Sequence, residues 1–238
     1  MAQPFRIASF DIGKRNFAFA VVDFWDGPKR SAKTSNKATR GEGHDLGGLR
    51  FAPVALEHAD LDRYVFMCHQ CGCRASKWSQ TTLRGTCLKH LDPTHRHVDC
   101  RPFSPTYSMF NFLDRFIPLL KSCNLVLIER QPGKSKWQEE LCRGIEFYMY
   151  LRRIPVEVHY FRTVTKLSIL PPITEKDKSR RYRAIKEETE TVCRGWLEEG
   201  GHLDALEYLE MMGTTIPGRA VDLFDSLFNA IVFHKRGG

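Results

Sequence analysis

Four acidic residues lie next to apolar segments, where an ionised carboxylate is unfavourable unless it serves a function. Asp11 ends an apolar run directly before a turn that contains glycine, and Glu129 follows four consecutive apolar residues. Asp222 and Asp225 lie three residues apart beside an apolar stripe, so they share one face of a predicted helix and repel each other. Carboxylates and water are the ligands that Mg²⁺ prefers. If the four acids converge, they could hold two Mg²⁺ ions and support hydrolysis of a phosphodiester.

Each acid also has a structural interpretation. Asp11 could be a turn residue at the end of a strand. Glu129 could lie where a strand emerges into solvent and pair with a neighbouring cation, and Asp222 and Asp225 could form an exposed acidic edge. The metal site, by contrast, requires all four to converge on ions about 4 Å apart.

A second group of potential ligands is a local cluster of cysteine and histidine. Five of the eight cysteines lie between residues 68 and 100, together with four histidines. In a reducing compartment such a cluster more often holds zinc than forms a disulfide framework. Two short motifs have the spacing of a structural zinc site: Cys68-x2-Cys71 and Cys87-x2-His90. Buried free thiols are the alternative. Four nearby residues could replace one ligand or form a second site: Cys73, His95, His97 and Cys100.

The elements that must position the acids begin with a hairpin. Residues 5–12 and 16–24 are apolar and β-prone and are separated by Gly13-Lys14-Arg15, which predicts two strands joined by a tight turn. Residues 26–50 are rich in Gly, Ser, Lys and Arg and predict a flexible basic loop. Residues 51–58 predict a third strand.

The second half of the chain alternates between strands and helices, which favours an α/β sheet with parallel members. The predicted strands are 125–131 and 155–161, and the predicted helices are 106–122, 136–153, 174–199, 201–212 and 219–235. Counting in twos along the first of these strands puts Leu125, Leu127 and Glu129 on one face. We therefore expect one domain over residues 1–238, with the cysteine and histidine segment 64–102 as a small insertion.

The charge of the chain favours a polyanionic partner. The 238 residues carry a formal net charge of +8, and cations that neutralise phosphates release condensed counterions. Residues 27–40 and 176–186 are candidate phosphate contacts, or alternatively solvated surface. Trp78 and Trp137 could stack on bases or belong to the core.

A membrane location is not expected, because no run approaches the roughly 20 apolar residues that cross a bilayer. The opening residues MAQPFRIASFDIG lack the basic and apolar regions of a secretory signal. We therefore expect an intracellular protein.

In their order along the chain, four motifs resemble those of the RuvC-like Holliday junction resolvases, most closely the poxvirus-type branch. The motifs are Phe10-Asp11-Ile12-Gly13, Ile128-Glu129-Arg130-Gln131-Pro132, the basic Tyr182-Arg183 to Lys186 segment, and Asp222-x-x-Asp225. The resemblance covers residues 5–24 and 105–235. It departs from the family at Arg219-Ala220-Val221, where many relatives carry further charged residues.

The resemblance implies an RNase H-like fold, a homodimer, and paired nicks in a four-way DNA junction with two Mg²⁺ or Mn²⁺ ions per site. By motif position Asp11, Glu129, Asp222 and Asp225 are the implied metal ligands. The basic residue near the scissile phosphate matches Lys186 best, with Lys166 as its rival.

The resemblance also implies a role in DNA recombination and repair. It suggests a large DNA virus that replicates in the cytoplasm, or otherwise a nuclear or organelle enzyme. The alternatives are a nuclease of the same fold that acts on RNA–DNA hybrids or flaps, and a zinc-containing DNA-binding protein that cuts nothing.

Overall fold

The computed structural model describes residues 3–13, 15–25, 48–100, 105–130, 136–162, 166–167, 169–215 and 219–237. Most of the predicted basic loop, residues 26–47, lies outside the described residues, as does Lys14 of the predicted turn. The strands within the described ranges are β1 (Phe5–Asp11), β2 (Phe17–Phe24), β3 (Phe51–Ala59), β4 (Lys77–Ser79), β5 (Arg84–Thr86), β6 (His97–Asp99), β7 (Leu125–Arg130) and β8 (Glu157–Arg162).

Five of these strands form a mixed sheet in the order β3-β2-β1-β7-β8. The first three strands are antiparallel neighbours, whereas β1, β7 and β8 run parallel. Both the predicted hairpin and the predicted third strand are confirmed. A mixed sheet of this order, flanked by helices, has the RNase H-like architecture, which confirms the predicted fold class.

The helices of the described ranges are α1 (Pro105–Leu113), α2 (Ile117–Lys121), α3 (Lys136–Leu151), α4 (Lys178–Glu199), α5 (Leu203–Thr215) and α6 (Arg219–Lys235). They agree with the predicted helices except at residues 106–122, where a 3₁₀ turn over Asp114–Phe116 separates α1 from α2. Pro118 explains the break, because it has no N–H to donate to the carbonyl of Asp114. Among the described helices, none is both long enough and apolar enough to cross a bilayer.

The sheet has a hydrophobic core on each face. Alternate residues of β7 point to opposite cores, with Leu125 and Leu127 on one side and Val126 and Ile128 on the other. The first core contains the apolar stripe of α6, where Phe228 stacks on Trp196 of α4 at a centroid distance of 5.3 Å. Because side chains alternate along β7, Glu129 lies on the same face as Leu125 and Leu127 and is directed towards α6.

The insertion forms a small three-stranded sheet of order β5-β4-β6, which the sequence did not predict. Its Trp78 is fully buried in the second core, so it packs rather than stacking on bases. Trp137 also packs against this core. The insertion is thus anchored to the main sheet by packing.

Two polar side chains complete that anchorage. The amide of Asn111 in α1 accepts a hydrogen bond from the Met67 N–H at 2.7 Å and donates one to the Met67 carbonyl at 2.8 Å. The guanidinium of Arg152 donates to the carbonyls of Thr82 at 3.2 Å and Leu83 at 2.8 Å. These contacts fix the insertion against α1 and the end of α3.

Asn111→Ala should lower the free energy of unfolding by about 2–3 kcal/mol, because two partly buried backbone groups lose their partner. The change is measured by urea unfolding. Leu88→Ala is the control in the same insertion, since Leu88 is 72% exposed and its truncation should cost less than about 0.5 kcal/mol. Equal effects of the two variants would show that Asn111 does not hold the insertion.

Candidate functional site

Asp11 and Glu129 lie at the same edge of the sheet because β1 and β7 are parallel. The register pairs Phe10 with Ile128, which places Asp11 and Glu129 one position beyond the last registered pair. Both side chains are 5% exposed. Glu129 is therefore not a strand residue emerging into solvent, and Asp11 is not an exposed turn residue.

Helix α6 brings the other two acids to this edge. It packs across β1 and β2, and Asp222 lies in its first turn, where the positive end of the helix dipole favours a carboxylate. One carboxylate oxygen from each of Asp11, Asp222 and Asp225 lies within 4.8 Å of the others. Asp222 and Asp225 are only 8% and 2% exposed, which excludes an acidic edge in solvent.

Glu129 lies outside that group of three but next to it. Asn229, about two turns after Asp222 on the same face of α6 and fully buried, donates from Nδ2 to Glu129 Oε2 at 2.9 Å. The charge of Glu129 also acts on Asp11, whose pKa it raises. The sequence analysis assigned no role to Asn229. Its position four residues after Asp225 was the available signal.

Both candidate lysines reach the acids, so the sequence alternatives are not exclusive. Lys186 Nζ lies 3.0 Å from Asp222 Oδ1 and 3.5 Å from Asp11 Oδ2, and it also contacts Asp225. Lys166 Nζ contacts the other oxygen of Asp225. Asp225 is thus held between two ammonium groups.

Burial sets the protonation of this cluster. It raises the pKa of Asp11 to about 7, against the opposing effect of Lys186. It also raises the pKa of Asp222. For Lys186, burial lowers the pKa, but Asp11 and Asp222 outweigh it and the net pKa is raised. For Lys166, burial dominates and the pKa is lowered.

The cluster is short of positive charge. Four carboxylates share the edge of the sheet with two ammonium groups, and the buried atom Oδ2 of Asp222 has no hydrogen-bond partner within the described ranges. Carboxylate oxygens are hard donors that suit Mg²⁺ or Mn²⁺. The donor set and the unsatisfied oxygen therefore fit a divalent cation.

The predicted ligands of the insertion also come together. One atom from each of Cys68, Cys71, Cys87 and His90 lies within 4.8 Å of the rest. The distances are 3.7 Å from Cys71 Sγ to Cys87 Sγ, and 3.5 and 3.4 Å from His90 Nδ1 to the sulfurs of Cys68 and Cys87. Tetrahedral zinc with bonds of about 2.3 Å to sulfur and 2.0 Å to nitrogen separates its ligands by about 3.8 and 3.5 Å. The arrangement matches such a site.

A tight turn presents the first two sulfurs. Gly72 has φ of +68°, a conformation that favours glycine, and its N–H donates to the Cys68 carbonyl at 2.9 Å. Burial raises the pKa of Cys68, but backbone hydrogen bonds from Cys87, Gln70 and Cys71 outweigh it and lower this pKa to about 6. The turn therefore favours the thiolate, which is the form that binds metal.

A second site in the insertion finds no support in the structure. Within the described ranges, Cys73, His95, His97 and Cys100 take part in no further group of three ligands. Burial raises the pKa of Cys100 to about 11, which disfavours its thiolate.

No protein-family model matches the chain, and no curated protein matches its sequence. A solved structure of RuvC from Thermus thermophilus is similar at 13% identity and a TM-score of 0.43, over 96% of this chain and 92% of that one.

Removing the charge of Asp11 should change how stability depends on pH. The raised pKa of Asp11 means that its protonated form stabilises the metal-free protein fully below about pH 4, and that this contribution is lost as pH rises through about 7. Asp11→Asn should abolish that part of the decline, on the order of 1–4 kcal/mol between pH 5 and 8. Thermal unfolding in Mg²⁺-free buffer measures it. Parallel curves for the two proteins would contradict the raised pKa.

Proposed function

We propose that this chain is a metal-dependent DNA endonuclease that resolves four-way junctions by paired phosphodiester hydrolysis. The observation that carries the proposal is the convergence of three buried carboxylates, Asp11, Asp222 and Asp225, from elements about 200 residues apart in the chain. Buried like charges are costly without a compensating cation. A protein that only binds DNA has no need to keep them.

The metal ligands of this proposal are Asp11, Glu129, Asp222 and Asp225. Two Mg²⁺ or Mn²⁺ ions, when bound, would activate water and neutralise charge on the phosphate and the leaving oxygen. The carboxylates must be ionised to bind them, so the raised pKa of Asp11 implies weaker metal binding below pH 7. Asn229 keeps the Glu129 carboxylate oriented.

Lys186 and Lys166 have complementary roles in this proposal. In the absence of metal, both ammonium groups balance the negative charge of the acids. Each would have to give up its contact with Asp225 when metal ions bind. Lys186 is the more accessible, with 15% of its side chain exposed against 3% for Lys166. Lys186 is therefore the better placed to contact the scissile phosphate.

The proposal includes branched DNA as the substrate and a homodimer as the active form, and each is supported by separate observations. The net charge of +8 suits a polyanion, and the order of the acidic motifs along the chain supports a junction resolvase of the poxvirus-type branch. A two-fold dimer suits paired nicks, since its two sites face two equivalent strands. An intracellular site of DNA recombination and repair is part of the same proposal.

The insertion is proposed to bind one structural Zn²⁺ through Cys68, Cys71, Cys87 and His90. Sulfur and imidazole ligands suit zinc, whereas the oxygen ligands of the acidic cluster suit Mg²⁺. All four positions of a tetrahedral ion are filled by protein, leaving none open for substrate or water. We therefore assign this ion to folding and not to catalysis.

Glu129→Gln and Asp222→Asn should each lower cutting of a synthetic four-way junction by about 100-fold or more with Mg²⁺, because a ligand loses its charge. Junction binding should persist or tighten, since repulsion of the phosphates falls. Glu199→Gln, on the exposed end of α4, is the matched control and should cut normally.

Three results would contradict the assignment. Normal cutting by both variants, or no Mg²⁺-dependent cutting by the wild type, would favour a DNA-binding protein without activity. Preferential cutting of RNA–DNA hybrids or flaps would favour the other nuclease of this fold.

Purified protein should contain about one equivalent of zinc, measured by elemental analysis. Cys87→Ser should lower this content and the melting temperature, because a structural zinc ion contributes directly to folding. Cys73→Ser is the matched control, since Cys73 is exposed and lies outside the ligand group. Less than half an equivalent in the wild type would remove the proposed site.

A further inference from the structure

One face of α4 leads from solvent into the acidic cluster. Lys178, Tyr182 and Lys186 are spaced by four residues and therefore lie along the same face of the helix. Lys186 ends this row among the acids. Tyr182 lies one turn earlier, 59% exposed, with its ring centroid 5.7 Å from Lys186 Nζ. An aromatic side chain thus borders the entrance to the cluster.

Ion pairs do not balance the positive charges around Tyr182 within the described residues. Four of them are exposed and form no ion pair with a carboxylate in the part of the chain that the structure describes: Lys178, Arg180, Arg181 and Arg183. Further along the same helix, Arg194 is paired with both Glu190 and Glu210 at 2.8 Å. The first two turns of α4 therefore present positive charge to solvent, complementary to a phosphate backbone.

An exposed aromatic ring among such cations is the combination by which proteins hold a nucleic-acid strand. The cations follow the phosphates, and the ring offers its face to a base that is not paired. Tyr182 has little packing function, since more than half of it is exposed. One helical turn rises 5.4 Å, which compares with about 3.4 Å per nucleotide of a stacked strand. A base on Tyr182 would thus lie one or two nucleotides from a phosphate at the acids.

We propose that Tyr182 is a positioning residue, which stacks on an unpaired base of the DNA strand and so selects the phosphate that reaches the acidic cluster. The inference rests on the proposed nuclease function. It adds a determinant of the cut position that lies outside the metal ligands. The cations around it hold the strand, and the ring fixes its register.

The test compares Tyr182→Leu, which keeps an apolar side chain but has no aromatic face, with Tyr182→Phe, which keeps the ring. The probe is a four-way junction with 2-aminopurine at successive positions near the crossover. In the absence of Mg²⁺, wild type and Tyr182→Phe should change the fluorescence at one position, whereas Tyr182→Leu should not. Tyr182→Leu should also bind about 5- to 100-fold more weakly, the range expected from stacking on one base.

With Mg²⁺, wild type and Tyr182→Phe should cut at one phosphate, and Tyr182→Leu at several neighbouring ones. Arg183→Ala is the control for the cations. It should weaken binding and reduce the salt dependence by about one phosphate contact without moving the cut. This separates the selection of register from simple affinity.

The proposal is overturned if Tyr182→Leu keeps the affinity, the fluorescence change and the cut position of the wild type. It is also overturned if Tyr182→Phe loses as much as Tyr182→Leu, since the hydroxyl and not the ring would then act. The fluorescence measurement needs no cutting. A wild type that binds and stacks but never cuts would therefore reject the nuclease function while leaving the stacking established.

Discussion

The structure depends on holding four carboxylates, largely removed from water, at one edge of a sheet. Their mutual repulsion is strong because the surroundings are apolar. Two ammonium groups offset part of it, while burial raises the pKa of Asp11 to about 7, with smaller contributions from the charges of Glu129 and Asp222. In the metal-free protein Asp11 therefore takes up a proton more readily than a solvated carboxylate does, and a divalent cation would favour its ionised form.

The sheet and α6 can impose this arrangement because both are rigidly packed. The apolar stripe of α6 includes Phe224, Leu227 and Phe228, all fully buried against the first core. Burial of each such side chain stabilises the fold by about 1.5–3 kcal/mol. That packing sets the rotation of the helix, and the rotation aims Asp222, Asp225 and Asn229 at the ends of β1 and β7. Hydrophobic packing thus provides the free energy that keeps the acids together.

The insertion is stabilised in a different way from the main sheet. Its strands are three residues long and could not form a stable sheet alone. They rely on the buried Trp78 and on the hydrogen bonds of Asn111 and Arg152, and a zinc ion at the proposed four-residue site would add to this anchorage. Sulfur and nitrogen donors in the insertion and oxygen donors at the sheet edge would separate two kinds of metal by their chemistry alone.

Local periodicity in the sequence determined much of this molecule. It placed Glu129 on the same face as Leu125 and Leu127, and Asp222 on the same face as Asp225, because alternation and helical repeat depend only on neighbouring residues. The spacing of the cysteines and histidine likewise singled out the four residues of the insertion whose side chains cluster. The tertiary structure decided what periodicity cannot reach. The burial of the acids and the contacts of the two lysines and Asn229 depend on residues far apart in the chain. Lys186 contacts Asp222 from 36 positions away, and Asn229 contacts Glu129 from 100 positions away. Such contacts depend on how helices pack across the sheet, and no local pattern specifies that.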